Sequence, residues 1–342
     1  MPHYKLALLG FGNVGQALAI LLQKKQADLK SKYDLTYSFT GIATGRHGAA
    51  INPDGIEIDR ALDLVREGKS LESLSRREPP VDGIDFIDLC EADVLFENTP
   101  VDYLNGQPAV DHISRALERS MHAITANKGP VVHAYQPLVQ KASEVQRKFY
   151  FESTVMDGAP IFSLFRSSLP GANLLSFTGI LNSTTNLILS RMEMGESFDA
   201  AVSYAQEIGI AETDPSGDID GWDAAVKVAA LVTVLMGIPL KPVEVDRTGI
   251  RDIQVQDIQE AKEMHSRWKL VCSAVCEDGQ VSASVSPQMV PSNSPLYQID
   301  GTTSIVQFET DVLGSLSIIE SDPGPHTTAY GLLADFLNAV NQ

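Results

Sequence analysis

Cysteine is scarce: Cys90, Cys272 and Cys276 are the only three in 342 residues. Three cannot make a full disulfide framework and no Cys/His set has zinc-finger spacing, so a disulfide-stapled secreted domain and a structural zinc module are excluded, and all three read as core thiols. Positive charge is the minority sign. With 26 Lys and Arg against 44 Asp and Glu, a net charge of -18 argues against nucleic acid and against anionic membrane surfaces, both of which need a basic patch. Long apolar runs are missing too: no stretch approaches the ~20 residues of a membrane span. Residues 1–5 lead directly into a strand with no signal-peptide pattern, so a cytoplasmic location is expected. There is no internal repeat and no low-complexity segment.

What is present is patterned. An aliphatic stretch at residues 5–9 precedes Gly10-Phe11-Gly12-Asn13-Val14-Gly15 and then a helical run at 16–22. Strand, glycine turn and helix in that order make a dinucleotide fingerprint. The glycines permit a tight turn, close backbone approach to a pyrophosphate and helix-on-strand packing, and the helix N-terminus faces the phosphates. A second strand at 36–43 runs into Thr44-Gly45-Arg46-His47-Gly48. No acid stands at its end to take a ribose hydroxyl, whereas Arg46 is placed to meet a 2'-phosphate, which favours NADP with NAD as the alternative. The next buried strand, 94–97, ends in Asn98-Thr99-Pro100, and the strand at 122–126 ends in Asn127-Lys128-Gly129-Pro130. In a doubly wound sheet such ends open on the ligand crevice, which makes Asn98, Thr99 and Lys128 candidate cofactor contacts. Residues 52–88 read as surface helices and loops.

Length suits two domains, or one domain interrupted by another. A new section begins at about residue 150, with helical segments around 187–208 and strands at 176–181, 271–276, 281–290, 304–310 and 313–320 that predict a largely antiparallel sheet. A last helix at 328–340 packs back on the first domain. The fold class is thus α/β: an N-terminal Rossmann domain with a doubly wound parallel sheet over 1–150, an α+β domain over 151–320, and a C-terminal segment, 321–342. The densest chemistry lies between Glu212 and Lys227, where Asp214, Asp218, Asp220 and Asp223 accompany one cation. Asp214-Pro215, Gly217 and Gly221 interrupt regular structure, and 222–236 reads as a largely buried helix, so Asp223 and Lys227 lie on one helical face. Most such pairs are solvated. Here Ala224, Ala225, Val226, Val228, Ala229, Ala230 and Leu231 surround the lysine with aliphatic groups, and a lysine losing water is retained when it is paired or used.

The glycine fingerprint, Ala126-Asn127-Lys128-Gly129-Pro130, Asn182-Ser183-Thr184-Thr185-Asn186 and the Glu212 to Lys227 segment stand in the order and at the separations of the homoserine dehydrogenase family, which the chain resembles over nearly its full length. The resemblance implies NAD(P)-linked interconversion of L-aspartate 4-semialdehyde and L-homoserine in threonine and methionine biosynthesis, in a short form without regulatory or kinase domain. It implies a second domain that binds substrate and forms a homodimer. It assigns proton transfer and polarisation of the carbonyl to Lys227 and Lys128, with Lys227 as the proton donor and Lys128 as the polarising group or a second participant in proton transfer, and Asp218 to orienting Lys227. Glu212 and Asp223 would hold the substrate, and Gly209 would admit the nicotinamide. By the same resemblance, a sodium ion would be coordinated by Glu152 and by main-chain carbonyls around Val155, Asp157 and Ala159. Two positions depart from the family pattern: Ser183 stands where glycine is usual, and a glycine-rich turn near the C-terminus is reduced to Gly324 as the one candidate cofactor contact. Two rivals remain. A thiol-dependent semialdehyde dehydrogenase needs an activated cysteine, and Cys90 has no evident base partner. A nucleotide-sensing binding protein on the same fold has no use for paired lysines.

Overall fold

The computed structural model describes residues 1–341, which divide into two compact units. One comprises Met1–Pro160 and the segment from Gly324 onward; the other is Ile161–Pro323. In the first, β1 (His3–Leu9), β2 (Thr36–Ala43), β3 (Ala49–Ile51), β4 (Val94–Glu97), β5 (His122–Thr125) and β6 (Phe149–Tyr150) form a sheet in the order 3-2-1-4-5-6. The strands are parallel, as expected of a doubly wound sheet, with the three-residue edge strand β3 added antiparallel to β2. The strand order reverses between β1 and β4, where such sheets bind ligands. Five helices alternate with these strands: α1 (Asn13–Lys32), α2 (Ile58–Arg66), α3 (Gly83–Leu89), α4 (Ala109–Glu118) and α5 (Gly129–Glu144).

The second unit contains α6 (Ser183–Glu193), α7 (Phe198–Glu207), α8 (Ser216–Ile219), α9 (Trp222–Leu231) and α10 (Val255–Glu263). Its strands are β7 (Leu174–Ile180), β8 (Asp246–Arg247), β9 (Ser266–Glu277), β10 (Gln280–Pro291), β11 (Ser304–Thr310) and β12 (Gly314–Glu320), in the order 12-11-7-9-10-8. All pairs are antiparallel except the short contact of β8 with β10. Phe177, Ala274, Cys272, Val285 and Phe308 share one face by register and are buried, and α9 packs against β9 and β10. Every residue of α9 from Asp223 to Leu231 is buried except Lys227, and the helix continues as a wider π-type turn over Val232–Met236.

The chain then returns to the first unit as α11 (Pro325–Val340). Leu332, Leu333 and Phe336 join Leu18, Leu22 and Leu29 of α1 in one core, with the Phe336 ring edge-on to Tyr4 and Phe96. Residues 151–160, expected with the second domain, group with the first because this turn is tied to α11: Glu152 N donates to Asp335 Oδ2 at 2.7 Å and Ser153 Oγ to the Thr328 carbonyl at 2.7 Å. Cys90 and Cys272 are core thiols as read. Cys276 is not: near the exposed turn that joins β9 to β10, it is only half-buried. No helix among the described residues is long and apolar enough to cross a membrane.

Candidate active site

The fingerprint in the first unit forms the expected strand-to-helix turn. Gly10 adopts φ +101°, and a Cβ there would strike the Asn98 carbonyl; a Cβ on Gly15 would strike that of Gly10. Phe11 is buried beneath the turn. Gly12 caps α1 with open space where its Cβ would be, so the N–H groups of Asn13, Val14 and Gly15 begin a helix whose first turn has no acid. That is an anion site by geometry and by dipole. Beside it a cavity of about 470 Å³ is lined by Gly10, Thr44, Gly45, Asp82, Thr99 and His112, among others. Arg46 is exposed, and the Thr44 hydroxyl holds its turn by accepting from the N–H groups of Arg46 and His47 at 3.2 and 2.6 Å. Asp82 was missed in the sequence because it comes from the N-terminus of α3, remote from the strand end where an acid is sought.

At the switch point the side-chain amide of Asn98 is buried, and neither its oxygen nor its nitrogen has a hydrogen-bond partner among the described residues. An orphaned donor and acceptor at a strand end, next to a glycine cradle, are what a bound dinucleotide satisfies, so the residues present fit this cofactor. Thr99 and Lys128 are half-buried at the neighbouring strand ends, with Lys128 capping α5.

In the second unit, Asn182 caps α6 by accepting from Thr185 N at 2.9 Å. Its Nδ2 donates to Asp218 Oδ1 at 2.6 Å and to Asp223 Oδ2 at 3.0 Å, bridging two carboxylates. Lys227 Nζ lies 3.0 Å from Asp223 Oδ2 and donates to the Leu181 carbonyl at 2.6 Å. Lysine and Asp223 are both largely withdrawn from solvent, at 15% and 12% side-chain exposure. Burial, and then the neighbouring charge of Asp223, raise the Asp218 pKa. Gly221, at φ +79°, separates α8 from α9 and so brings Asp218 and Asp223 to the same amide; Gly217, expected to break structure, lies inside α8. The guanidinium of Arg247 lies 3.8 Å from the Trp222 ring centroid and donates to the Asp220 carbonyl, bracing this junction.

The remaining expected residues make contacts of their own. Glu212 is exposed and offers its backbone carbonyl to Gln206 Nε2. Gly209 takes φ +76° at the end of α7, where its N–H and that of Ile210 return to the Gln206 and Ala205 carbonyls; this helix-terminating motif accounts for a glycine by itself. Ser183 Oγ lies 3.4 Å from Ser304 Oγ. Back in the first unit, Gly324 is extended and caps α11, and its N–H is donated to Asp157 Oδ2 and Thr327 Oγ1. Glu152 and Val155 are buried, Asp157 and Ala159 half-buried. Among the described residues no three His, Cys, Asp or Glu side chains converge on a metal position, so a cation held here would need main-chain oxygens beside Glu152. Burial pushes the thiols of Cys90 and Cys272 up to about 12, which works against a thiolate nucleophile at either position.

Similarity to known proteins agrees with this geometry. A family model described as "Homoserine dehydrogenase, NAD binding domain" matches residues 10–152, and one described as "Homoserine dehydrogenase" matches 160–337. The chain is 34% identical to an NAD(+)-dependent homoserine dehydrogenase from Pseudomonas canavaninivorans, covering 99% of this chain and 96% of the relative. It is also 34% identical to a homoserine dehydrogenase from Methanocaldococcus jannaschii, over 98% of each. A solved chain from Archaeoglobus fulgidus superposes with a TM-score of 0.86 at 30% identity over 98% of both chains. A homoserine dehydrogenase from Thiobacillus denitrificans gives 0.83 at 25% identity, over 99% of this chain and 73% of that one. A dinucleotide cradle in one unit, a lysine and its carboxylates in the other, and end-to-end similarity lead to one conclusion: the chain belongs to the homoserine dehydrogenase family of NAD(P)-dependent oxidoreductases.

Proposed function

We propose that the chain interconverts L-aspartate 4-semialdehyde and L-homoserine, with Lys227 as the group that moves the proton at the substrate oxygen. The observation that carries this reading is Lys227 itself, the one residue between Asp223 and Leu231 of α9 that is not fully buried, held by Asp223 and the Leu181 carbonyl. When bound, the nicotinamide supplies or accepts the hydride at carbon. As negative charge develops on the carbonyl oxygen in reduction, Lys227 donates a proton to it; in oxidation it takes the hydroxyl proton back. Asp223 and Asp218, joined through Asn182, orient the lysine and give the site the negative charge that suits a substrate ammonium group. Lys128 is assigned the polarising role, and Glu212 a part in holding substrate. Gly10 to Gly15, Asn98, Thr99, Gly209 and Gly324 belong to the cofactor reading, and Glu152, Val155, Asp157 and Ala159 to a sodium site.

For the nucleotide we propose NADP, on Arg46. A second reading, NAD, is favoured by Asp82, which lines the cavity beside the glycine turn, and by the name of the Pseudomonas relative. One face of the second sheet, where Ser176, Thr178, Ser273, Val275, Ser282 and Ser284 are partly or wholly exposed, supports a homodimer, and the family supports a place in threonine and methionine synthesis.

Steady-state kinetics with aspartate semialdehyde test these assignments. Lys227→Ala should lower kcat by orders of magnitude with nucleotide affinity near wild type, and wild-type turnover would overturn its role. Arg46→Ala should weaken NADPH about tenfold or more and leave NADH nearly unchanged, the size of a lost charge-assisted contact. If NADH is the better substrate and Asp82→Ala weakens it alone, the NAD reading stands.

A further inference from the structure

We infer that Glu97, at the end of β4, is a positioning residue that fixes both strand ends of the nucleotide crevice and acts on catalysis through Lys128. This rests on the role just proposed for that lysine. Glu97 is fully buried, yet donors converge on its carboxylate. Oε1 accepts from Thr99 N at 3.2 Å and from Thr99 Oγ1, with His112 Nδ1 at 3.4 Å. Oε2 accepts from Thr125 Oγ1 at 3.1 Å. A carboxylate removed from water is stable only with such donors, and a closed set of them holds its members in one geometry.

Each donor leads to the crevice. Thr125 Oγ1, which also donates to the Glu97 carbonyl at 2.7 Å, accepts from Asn127 N at 2.9 Å. The Asn127 side chain in turn donates to the Thr99 and Pro100 carbonyls at 2.9 and 3.2 Å and accepts from Gly129 N at 2.9 Å. Lys128 is therefore flanked by two residues pinned in this network, and the loop after β4 is pinned by the same groups. His112 closes the far side, its imidazole packed so closely on Gly83 that a Cβ there would collide with it. Replacing one acceptor oxygen of Glu97 by an amide nitrogen loosens one strand end against the other without touching a reacting atom. A displacement of about 1 Å in such a group costs up to ~100-fold in rate.

The test is a double-mutant cycle on the full-length protein, with kcat, KM and thermal midpoint for Glu97→Gln, Lys128→Ala and the pair, and nucleotide affinity from bound-NAD(P)H fluorescence. Glu97→Gln keeps the shape and is expected to fold, to lower kcat about tenfold or more, and to leave KM for the semialdehyde within about threefold. In the Lys128→Ala background the same substitution should cost almost nothing further, because the group it positions is gone. A full, additive loss in that background, or unchanged kcat in the single variant, overturns the inference. Wild-type turnover in Lys128→Ala alone instead overturns the role of Lys128. Should Glu97→Gln fail to fold, Thr125→Val, which removes only the hydroxyl that links Glu97 to Asn127, replaces it in the cycle with the same expected outcomes.

Discussion

Asp218 is held protonated more readily in the folded chain than in the unfolded one, first by burial and then by the charge of Asp223. A raised carboxyl pKa means that its contribution to stability is fully present below the unfolded value and is lost as pH rises through the folded one. At neutral pH the ionised group is thus a cost to the fold that its hydrogen bond to Asn182 offsets in part. Asp218→Asn keeps an oxygen toward Asn182 and removes the charge. It should melt at a higher temperature than the wild type at about pH 7–8, with the difference closing toward about pH 4, while turnover falls. Melting curves across that range beside kcat check this, and a variant less stable at the alkaline end would show that the cluster needs the charge to hold together. The pairing of Asp223 with Lys227 was legible in the sequence because both lie on one helix, one turn apart. The bridge from Asn182 and the hub at Glu97 were not: their partners come from other elements, and no local periodicity encodes them.

Strands were legible down to about four residues. The bounds of β2 and β4 follow directly from apolar runs closed by turn residues, whereas β3 and β6, with three and two residues, carry no period to detect. α6 starts ahead of the helical run expected from about 187, because the polar stretch Asn182 to Asn186 carries no apolar period and its asparagine acts as the cap. Farther along this helix Asn186 binds the segment that leads into β11: its Nδ2 donates to the Gly301 and Thr303 carbonyls, and its Oδ1 accepts from Lys269 Nζ at 2.9 Å. Lys269 is fully buried in β9 and also donates to the Ile299 carbonyl at 2.6 Å; burial brings its pKa down to about 8. Lys269→Ala leaves a void and two acceptors without their donor. The expected loss is about 3 kcal/mol or more, read as a lower urea midpoint at unchanged m-value. An unaltered midpoint would mean that the segment is held by Asn186 alone.

At the scale of the molecule, the first unit is discontinuous in sequence, since residues 1–160 need α11 to complete their core. Residues 1–160 produced alone should expose the apolar face of α1 that Leu332, Leu333 and Phe336 cover, and should neither fold cooperatively nor bind nucleotide. The same residues joined through a flexible linker to 324–341 should do both. Circular dichroism and nucleotide fluorescence distinguish the two, and a folded, nucleotide-binding 1–160 would reduce α11 to an accessory. Net charge, by contrast, speaks to solubility and not to fold. The return of the chain also sets an order in time. A ribosome adds roughly 5–20 residues per second, so the nascent nucleotide-binding half waits on the order of ten seconds or longer while the other unit is made. The second unit can fold as soon as it emerges; the first is sealed only when α11 arrives. On the expectation that 1–160 does not fold alone, a polypeptide released before α11 would carry Lys227 and its carboxylates without a sealed nucleotide-binding core.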